Sequence, residues 1–511
     1  MPWRRQLIGE ACVMLTDAQT GSLKGMEGKR AAIVGIGVTN VPLIRFLAAH
    51  GVQITACDQK QEDSLISELR ALAGLDVRYL LGPGYLDALP SFDIVYLSPG
   101  VNPGQPEIEA ARRAGVAISS EIDLVLRLSA APTVGITGSS GKTTTTTLTG
   151  LILREDARRH HPSRQVLVGG NIGAPVIERV LTCGPDDFIV LELSSFQLKP
   201  LEVSPRVAAV LNVTPNHLDV HPSMDDYIWS KENIVRYQRD DDWAIFGADN
   251  DVAQLMAERA PGQIMSFSAS RPVPRGAFLD GDKLVMRWSA GSGSGGSGRS
   301  GRSGGSGAGD IVVAHRSDLK IPGIHNVQNA LAAIAVCAAA GADPEAMRDA
   351  IAAFSGVEHR LEPAGEMGGV IFINDSIATT PSRTIAALLA MERPVVLIAG
   401  GYDKHLPFDE MAQLALGKVH TVALVGVTAD KIQRAFEEAA GRAGVEPPAI
   451  IRADTFREAV EAARQASRPG DAVLLSPACA SYGLFRNFEE RGRTFKQLVS
   501  EFSAEAGKAC E

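Results

Sequence analysis

The chain has 511 residues, of which 45% are hydrophobic and 21% charged, and its formal net charge is -9. That length exceeds what one hydrophobic core supports and points to about three domains of ordinary globular composition. The acidic balance excludes a general nucleic-acid binder, which carries a basic surface, yet leaves room for an anionic small molecule held by local cations.

The six cysteines, Cys12, Cys57, Cys183, Cys337, Cys479 and Cys510, are scattered with no CxxC pair. Such spacing offers neither a zinc site nor a disulfide framework and suits a reducing compartment. The start, MPWRRQLIGEACVML, is a poor signal peptide because Glu10 interrupts its apolar run. No stretch approaches the ~18 apolar residues of a membrane helix. A cytoplasmic protein without membrane insertion is expected.

Along the chain, short apolar runs alternate with amphipathic Ala/Leu-rich segments: AAIVGIG, DIVYLSPG, PTVGITG, DFIVLELS, AAVLNVT, VVLIAGG, TVALVG and AVLLSP. Runs of this length suit strands buried on both faces of parallel sheets with helical crossovers, so the fold class is α/β. Three strand–helix series predict domains over 1–118, 119–356 and 357–511. Residues 290–309 are almost wholly Gly, Ser and Arg and read as a flexible surface insertion, because long loops cost little stability. Its arginines could instead bind a ligand.

The first nucleotide signal is AAIVGIGVTN at 31–40, a strand followed by Gly35 and Gly37 at a turn into a helix, with a second strand ending at Asp58. Glycines there let backbone approach phosphate, but Asn40 replaces the third glycine of the dinucleotide fingerprint, so NAD does not follow. The turn LSPGV, with Gly100, follows another strand and could face the same crevice. The second signal is sharper. PTVGITGSSGKTTTTT at 132–147 is a buried strand, a Gly-rich turn and a helix start, although Ile136 stands where the general phosphate-loop pattern has its first glycine. Its backbone N–H groups suit phosphate oxygens, Lys142 the β/γ-phosphates, and the Thr143 hydroxyl Mg²⁺.

The run TGSSGKTT resembles the nucleotide loop of the Mur ligases and their folate-polyglutamylating relatives. In the same family order follow GGNIG (169–173), LELSSFQL (191–198), NVTPNHLD (212–219), YIWSKENI (227–234), GIHNVQNALAA (323–333), EHRLE (358–362), NDSIATTP (374–381), GGYDKH (400–405) and LSPACASYGLFRNFEERG (475–492). The resemblance implies a Rossmann-like first domain, a central ATPase-type domain and a Rossmann-like third domain. It also implies an ADP-forming acid–amino-acid ligase of peptidoglycan synthesis, a monomer whose partners are small molecules. LELSSFQL and SPACAS point to the branch that adds D-glutamate to UDP-N-acetylmuramoyl-L-alanine.

Residue by residue, the resemblance assigns ATP to Gly138, Ser139, Ser140, Gly141, Lys142, Thr143, Thr144 and Thr145, to Asn326 and Asn329 near the adenine, and to His359, Arg360 and Asp375. Mg²⁺ (or Mn²⁺) is assigned to Thr143, Glu192, His217 and Lys231, the lysine as a carbamate. By composition alone Lys231 is a surface lysine, Asn326 and Asn329 are helix caps, and His359 and Arg360 form a linker salt bridge. Gly37, Val38, Thr39, Asp58, Gly100 and Asn171 match UDP-substrate positions, and Thr379, Lys404, Ser481 and Phe488 match the amino-acid pocket. Two departures stand out: Ile377 where the family often has lysine, and Gly483 where it has aspartate. Outside this branch, a folylpolyglutamate synthase would leave the first-domain crevice without a purpose, and a phosphate-loop regulatory switch would leave the third domain without one.

Overall fold

The computed structural model describes residues 4–8, 11–37, 39–173, 175–215, 221–288, 309–321, 323–403 and 406–508. Val38, His217 and Lys404, and the predicted insertion apart from Gly309, lie outside the described residues. The chain divides into two units, Met1–Phe354 and Ser355–Glu511.

In the first unit, a hairpin of β1 (Arg4–Ile8) and β2 (Ala11–Leu15) precedes a five-stranded parallel sheet. Its strands are β3 (Arg30–Val34), β4 (Gln53–Asp58), β5 (Val77–Leu81), β6 (Ile94–Leu97) and β7 (Ala117–Ser119), in the order β5-β4-β3-β6-β7. Ala31 to Val34 are fully buried, as a central strand covered on both faces requires. Strand order reverses between β3 and β6, so the turns after these two strands flank the crevice where α/β sheets bind ligands.

The same unit holds a nine-stranded sheet. It comprises β8 (Thr133–Thr137), β9 (Val166–Gly170), β10 (Phe188–Glu192), β11 (Val207–Val210), β12 (Trp243–Gly247), β13 (Gln263–Ser268), β14 (Gly276–Asp280), β15 (Lys283–Arg287) and β16 (Asp310–His315). The order is β16-β15-β14-β13-β12-β11-β8-β10-β9, parallel from β9 to β14 and antiparallel beyond. β8 lies between β10 and β11, so the turn after it sits between the C-terminal ends of those two strands. The helix Ile324–Ala339 is apolar almost all round, and its interior is buried.

The second unit contains β17 (Glu362–Met367), β18 (Val370–Asn374), β19 (Val395–Ala399), β20 (Val419–Val425), β21 (Ala449–Ala453) and β22 (Ala472–Leu475), in the order β17-β18-β22-β19-β20-β21. Only β17 runs antiparallel. Leu397, Leu424 and Leu474 pack into one layer, while Val396, Ala423 and Val473 pack into the other. Short continuous apolar runs, which place apolar residues on both faces, are what made these segments legible as buried strands. β22 inserts between β18 and β19, which makes the turns after β18 and β22 neighbours.

Candidate active site

The centre of the first unit is the turn between β8 and the helix Lys142–His160. Gly141 caps that helix in a left-handed conformation (φ 81°), and a Cβ there would collide with Asn329 Oδ1. A Cβ on Gly138 would lie 3.0 Å from Leu211 Cβ and 3.1 Å from the Ser140 carbonyl. The turn is pinned from the segment after β11: Ser139 N–H donates to Asn212 O (2.8 Å) and Ser140 N–H to Asn212 Oδ1 (2.9 Å). Lys142 Nζ folds back to the carbonyls of Gly138 (3.0 Å) and Ser139 (3.4 Å). Thr143 and Thr145 are buried, and Thr144 is half-buried. The Thr145 hydroxyl reaches Asn329 Oδ1 at 3.5 Å, and Asn329 Nδ2 donates to Asn326 Oδ1 at 3.2 Å. A helix N-terminus behind a glycine turn with one lysine is a phosphate cradle.

Two buried side chains of opposite type converge on this cradle. Lys231, 1% exposed, projects from the helix Met224–Arg236 and donates to Gly138 O (3.0 Å) and Thr137 Oγ1 (3.3 Å). Burial pushes its pKa well below the usual lysine value, Lys142 lowers it further, and Glu192 acts in the opposite sense. Glu192, 2% exposed, ends β10. Its Oε1 accepts from Asn171 Nδ2 (2.8 Å), while its Oε2 is buried without a hydrogen-bond partner among the described residues. A carboxylate oxygen left bare beside a phosphate cradle fits a hard divalent cation, and Thr143 and a carbamylated lysine would be further oxygen donors. No group of three or more His, Cys, Asp or Glu that could hold a metal ion occurs among the described residues. Asn171, expected at the UDP substrate, also holds Glu192. Gly170 permits this, because a Cβ there would strike the Glu192 carbonyl.

In the first sheet, Gly35 (φ 88°) brings the β3 turn against the β6 turn, and a Cβ would come 2.8 Å from Ser98 Cβ. Asp58 is 7% exposed and its carboxylate accepts from Ile36 N–H (2.7 Å) and Lys60 N–H (2.9 Å), so it shapes this turn. Asn40, the departure from the fingerprint, is fully buried and donates to the carbonyls of Val34 (3.1 Å) and Gly35 (2.9 Å). Its amide closes the turn that a third glycine would otherwise pack. A cleft beside it is lined by Thr39, Ser98, Pro99, Glu121, Phe196 and Gln197. Gly100 is exposed, and a Cβ on Gly37 would meet open space.

In the second unit, Asp375 follows β18 and is 4% exposed. Burial raises its pKa to about 7, against hydrogen bonds from Ser476 Oγ (2.8 Å) and Leu361 N–H (3.3 Å). His359 is buried, its Nδ1 3.0 Å from Asn374 Nδ2 and its Nε2 3.6 Å from Glu358 Oε1, without a hydrogen-bond partner among the described residues, whereas Arg360 is exposed. His359 and Leu361 adopt left-handed backbone (φ 64° and 44°), as does Ala478 (φ 58°). These strained positions gather at the turns after β18 and β22. Thr379 and Phe488 are half-buried and Ser481 is 4% exposed, all on or beside those turns. Ile377 is half-buried; Gly483 has φ 88° and nothing near its would-be Cβ.

Three family models match in sequence: a Mur ligase MurD-like N-terminal domain at 29–120, a Mur ligase middle domain at 136–337 and a Mur ligase glutamate ligase domain at 359–479. The UDP-N-acetylmuramoylalanine--D-glutamate ligase of Symbiobacterium thermophilum is 47% identical over 93% of this chain and 98% of its own length. The chain belongs to the Mur ligase family. The enzymes of the same name from Acetivibrio thermocellus and Clostridium novyi are 41% and 40% identical, over 94% and 93% of this chain and 98% and 97% of their own lengths. Among solved structures, the UDP-N-acetylmuramate-alanine ligase of Thermotoga maritima shares the fold. Its TM-score is 0.53 at 19% identity, over 93% of this chain and 99% of that one.

In this Mur ligase chain some site residues carry no sequence flag of their own. Asn212 lies in a quoted motif, but only the structure shows its amide bracing the loop. Tyr227 places its hydroxyl 3.0 Å from Ser139 Oγ and its ring 4.7 Å from Lys231 Nζ. His221 bridges Asp226 Oδ2 (Nδ1, 2.6 Å) and Ser195 Oγ (Nε2, 3.0 Å), tying the Lys231 helix to the segment after Glu192. A strand-end carboxylate followed by Leu-Ser-Ser, and a His-Pro-Ser helix entry, are the only sequence signals.

Proposed function

We propose that the chain ligates D-glutamate to UDP-N-acetylmuramoyl-L-alanine at the expense of ATP, in the cytoplasm, as a step of peptidoglycan precursor synthesis. The carrying observation is the convergence of Lys142, Lys231 and Glu192 on one glycine turn, in a chain similar over nearly its full length to D-glutamate ligases. A carboxylate is a poor acyl donor because oxide would have to leave. Transfer of the γ-phosphoryl group from ATP to the L-alanyl carboxylate yields an acyl phosphate and ADP. The D-glutamate amine then attacks the acyl carbon, and phosphate leaves with the C–O electron pair.

In this reading Gly138 to Thr145 cradle the triphosphate, and Lys142 swings from the Gly138 and Ser139 carbonyls to the γ-phosphate. Burial favours the neutral form of the Lys231 amine, the form that adds CO₂ to give a carbamate anion and a released proton. Thr143, Glu192, His217 and that carbamate would hold Mg²⁺ or Mn²⁺, whose charge neutralises the phosphate oxygens. Asn171 orients Glu192. Asn326, Asn329, His359, Arg360 and Asp375 serve ATP. Gly37, Val38, Thr39, Asp58, Gly100 and Asn171 frame the UDP crevice, the first five within a domain spanning 1–118, which is followed by domains at 119–356 and 357–511. Thr379, Lys404, Ser481 and Phe488 receive the amino acid.

The test is isotopic. UDP-N-acetylmuramoyl-L-alanine labelled with ¹⁸O in its free carboxylate should deliver one ¹⁸O to the released phosphate. Phosphate free of label would exclude the acyl phosphate.

A further inference from the structure

In the second unit one buried cation, Arg491, has no acidic partner among the described residues. Arg491 is 2% exposed and lies in the first turn of the helix Phe488–Lys508, close to the positive end of the helix dipole. Burial lowers its pKa to about 10, which leaves it charged at neutral pH, and the one titratable group acting on it among the described residues is the Cys479 thiol. Desolvation and the helix end both oppose a cation here. Its hydrogen bonds account for its presence. Nε donates to Ser376 Oγ (3.0 Å), Nη2 to Ser376 O (2.8 Å) and Nη1 to Cys479 O (3.1 Å). Ser376 Oγ in turn donates to Phe488 O (2.8 Å).

Ser376 belongs to the turn after β18, which carries Thr379, and Cys479 to the turn after β22, which carries Ser481. The second turn holds left-handed Ala478, so its shape depends on such ties. We propose that Arg491 is the positioning residue of the amino-acid subsite: its planar guanidinium locks the Thr379 turn, the Ser481 turn and the Phe488 backbone into one arrangement that presents hydroxyl donors to a dicarboxylic amino acid. This rests on the functional reading above. A lysine cannot replace the fork, since three donors on one nitrogen do not span two turns in a plane.

The experiment compares Arg491→Lys, Arg491→Met and Ser376→Ala in the full-length enzyme. It measures KM for D-glutamate, ATP and UDP-N-acetylmuramoyl-L-alanine, with a thermal melt of each variant. Arg491→Met should raise the D-glutamate KM about 10- to 100-fold, as expected for losing charge-assisted hydrogen bonds. Arg491→Lys should fall between it and the wild type, and Ser376→Ala should raise the same KM about 3- to 10-fold. The other two KM values should stay within about twofold. If Arg491→Met does not fold, the lysine and alanine variants decide. An unchanged D-glutamate KM in folded Arg491→Lys and Ser376→Ala, or equal shifts in all three constants, overturns the proposal. A wild-type enzyme whose ADP release ignores D-glutamate would instead remove the functional reading beneath it.

Discussion

Replacing Asn212 with alanine isolates the brace behind the phosphate cradle. Three side-chain contacts disappear: Ser140 N–H to Oδ1 at 2.9 Å, Ser140 Oγ to Oδ1 at 3.2 Å, and Nδ2 to Ser140 O at 3.3 Å. The backbone bond from Ser139 N–H to Asn212 O survives, so the loop loosens on one side without detaching. Neutral hydrogen bonds contribute about 0.5–1.5 kcal/mol each, and these three share one residue, so about 1–3 kcal/mol of preorganisation is lost together. At ~1.4 kcal/mol per decade the ATP KM should rise about 5- to 150-fold. Steady-state ADP release over a range of ATP concentrations reads this directly. Asn212→Asp keeps both acceptor contacts but places an anion beside the triphosphate, and should be worse than alanine. An alanine variant with wild-type ATP KM would refute the brace.

Gly141→Ala should cost ATP affinity more severely, because a left-handed residue with a Cβ costs about 1–2 kcal/mol even before the collision with Asn329; nucleotide titration by calorimetry would show it, and unchanged binding would contradict the strain argument. Lys231→Arg keeps a cation but cannot form a carbamate, so turnover should collapse, and intact mass under gentle conditions should show added CO₂ on the wild type alone; an active arginine variant would sink the carbamate. Glu121, buried beside the first-domain turn, has its pKa raised by burial from 4.5 to about 7. Its contribution to stability is therefore greatest below about pH 4.5 and is lost as pH rises toward 7. Glu121→Gln should melt at a temperature that gains on the wild type between pH 5 and pH 8; a constant difference would show that Glu121 does not titrate in this range.

The parallel sheets were legible because residues 31–34, 188–191 and 395–399 are short, apolar on both faces and set off by polar or glycine-containing turns. The phosphate cradle was legible because strand, turn, lysine and threonine are contiguous. What pattern reading missed is what depends on tertiary partners. Asn40 looked like a defect in a fingerprint, yet its amide replaces the missing glycine contact. Asn171 matched a substrate position, and only the structure adds that its amide donates to Glu192 on the adjoining strand. Lys231 reads as a surface lysine from composition; only packing of its helix over β8 buries it. Arg491 gave no signal, since nothing in a run of Phe-Glu-Glu-Arg distinguishes a buried clamp from a solvated helix face.

The central claim is an amino-acid-dependent ligase, and ADP release with UDP-N-acetylmuramoyl-L-alanine against a panel of D- and L-amino acids tests it most directly. The account predicts ADP release that requires both the UDP-sugar and D-glutamate, with L-glutamate, D-glutamine and neutral amino acids at background. ADP release driven by a different amino acid, or independent of any, would contradict it.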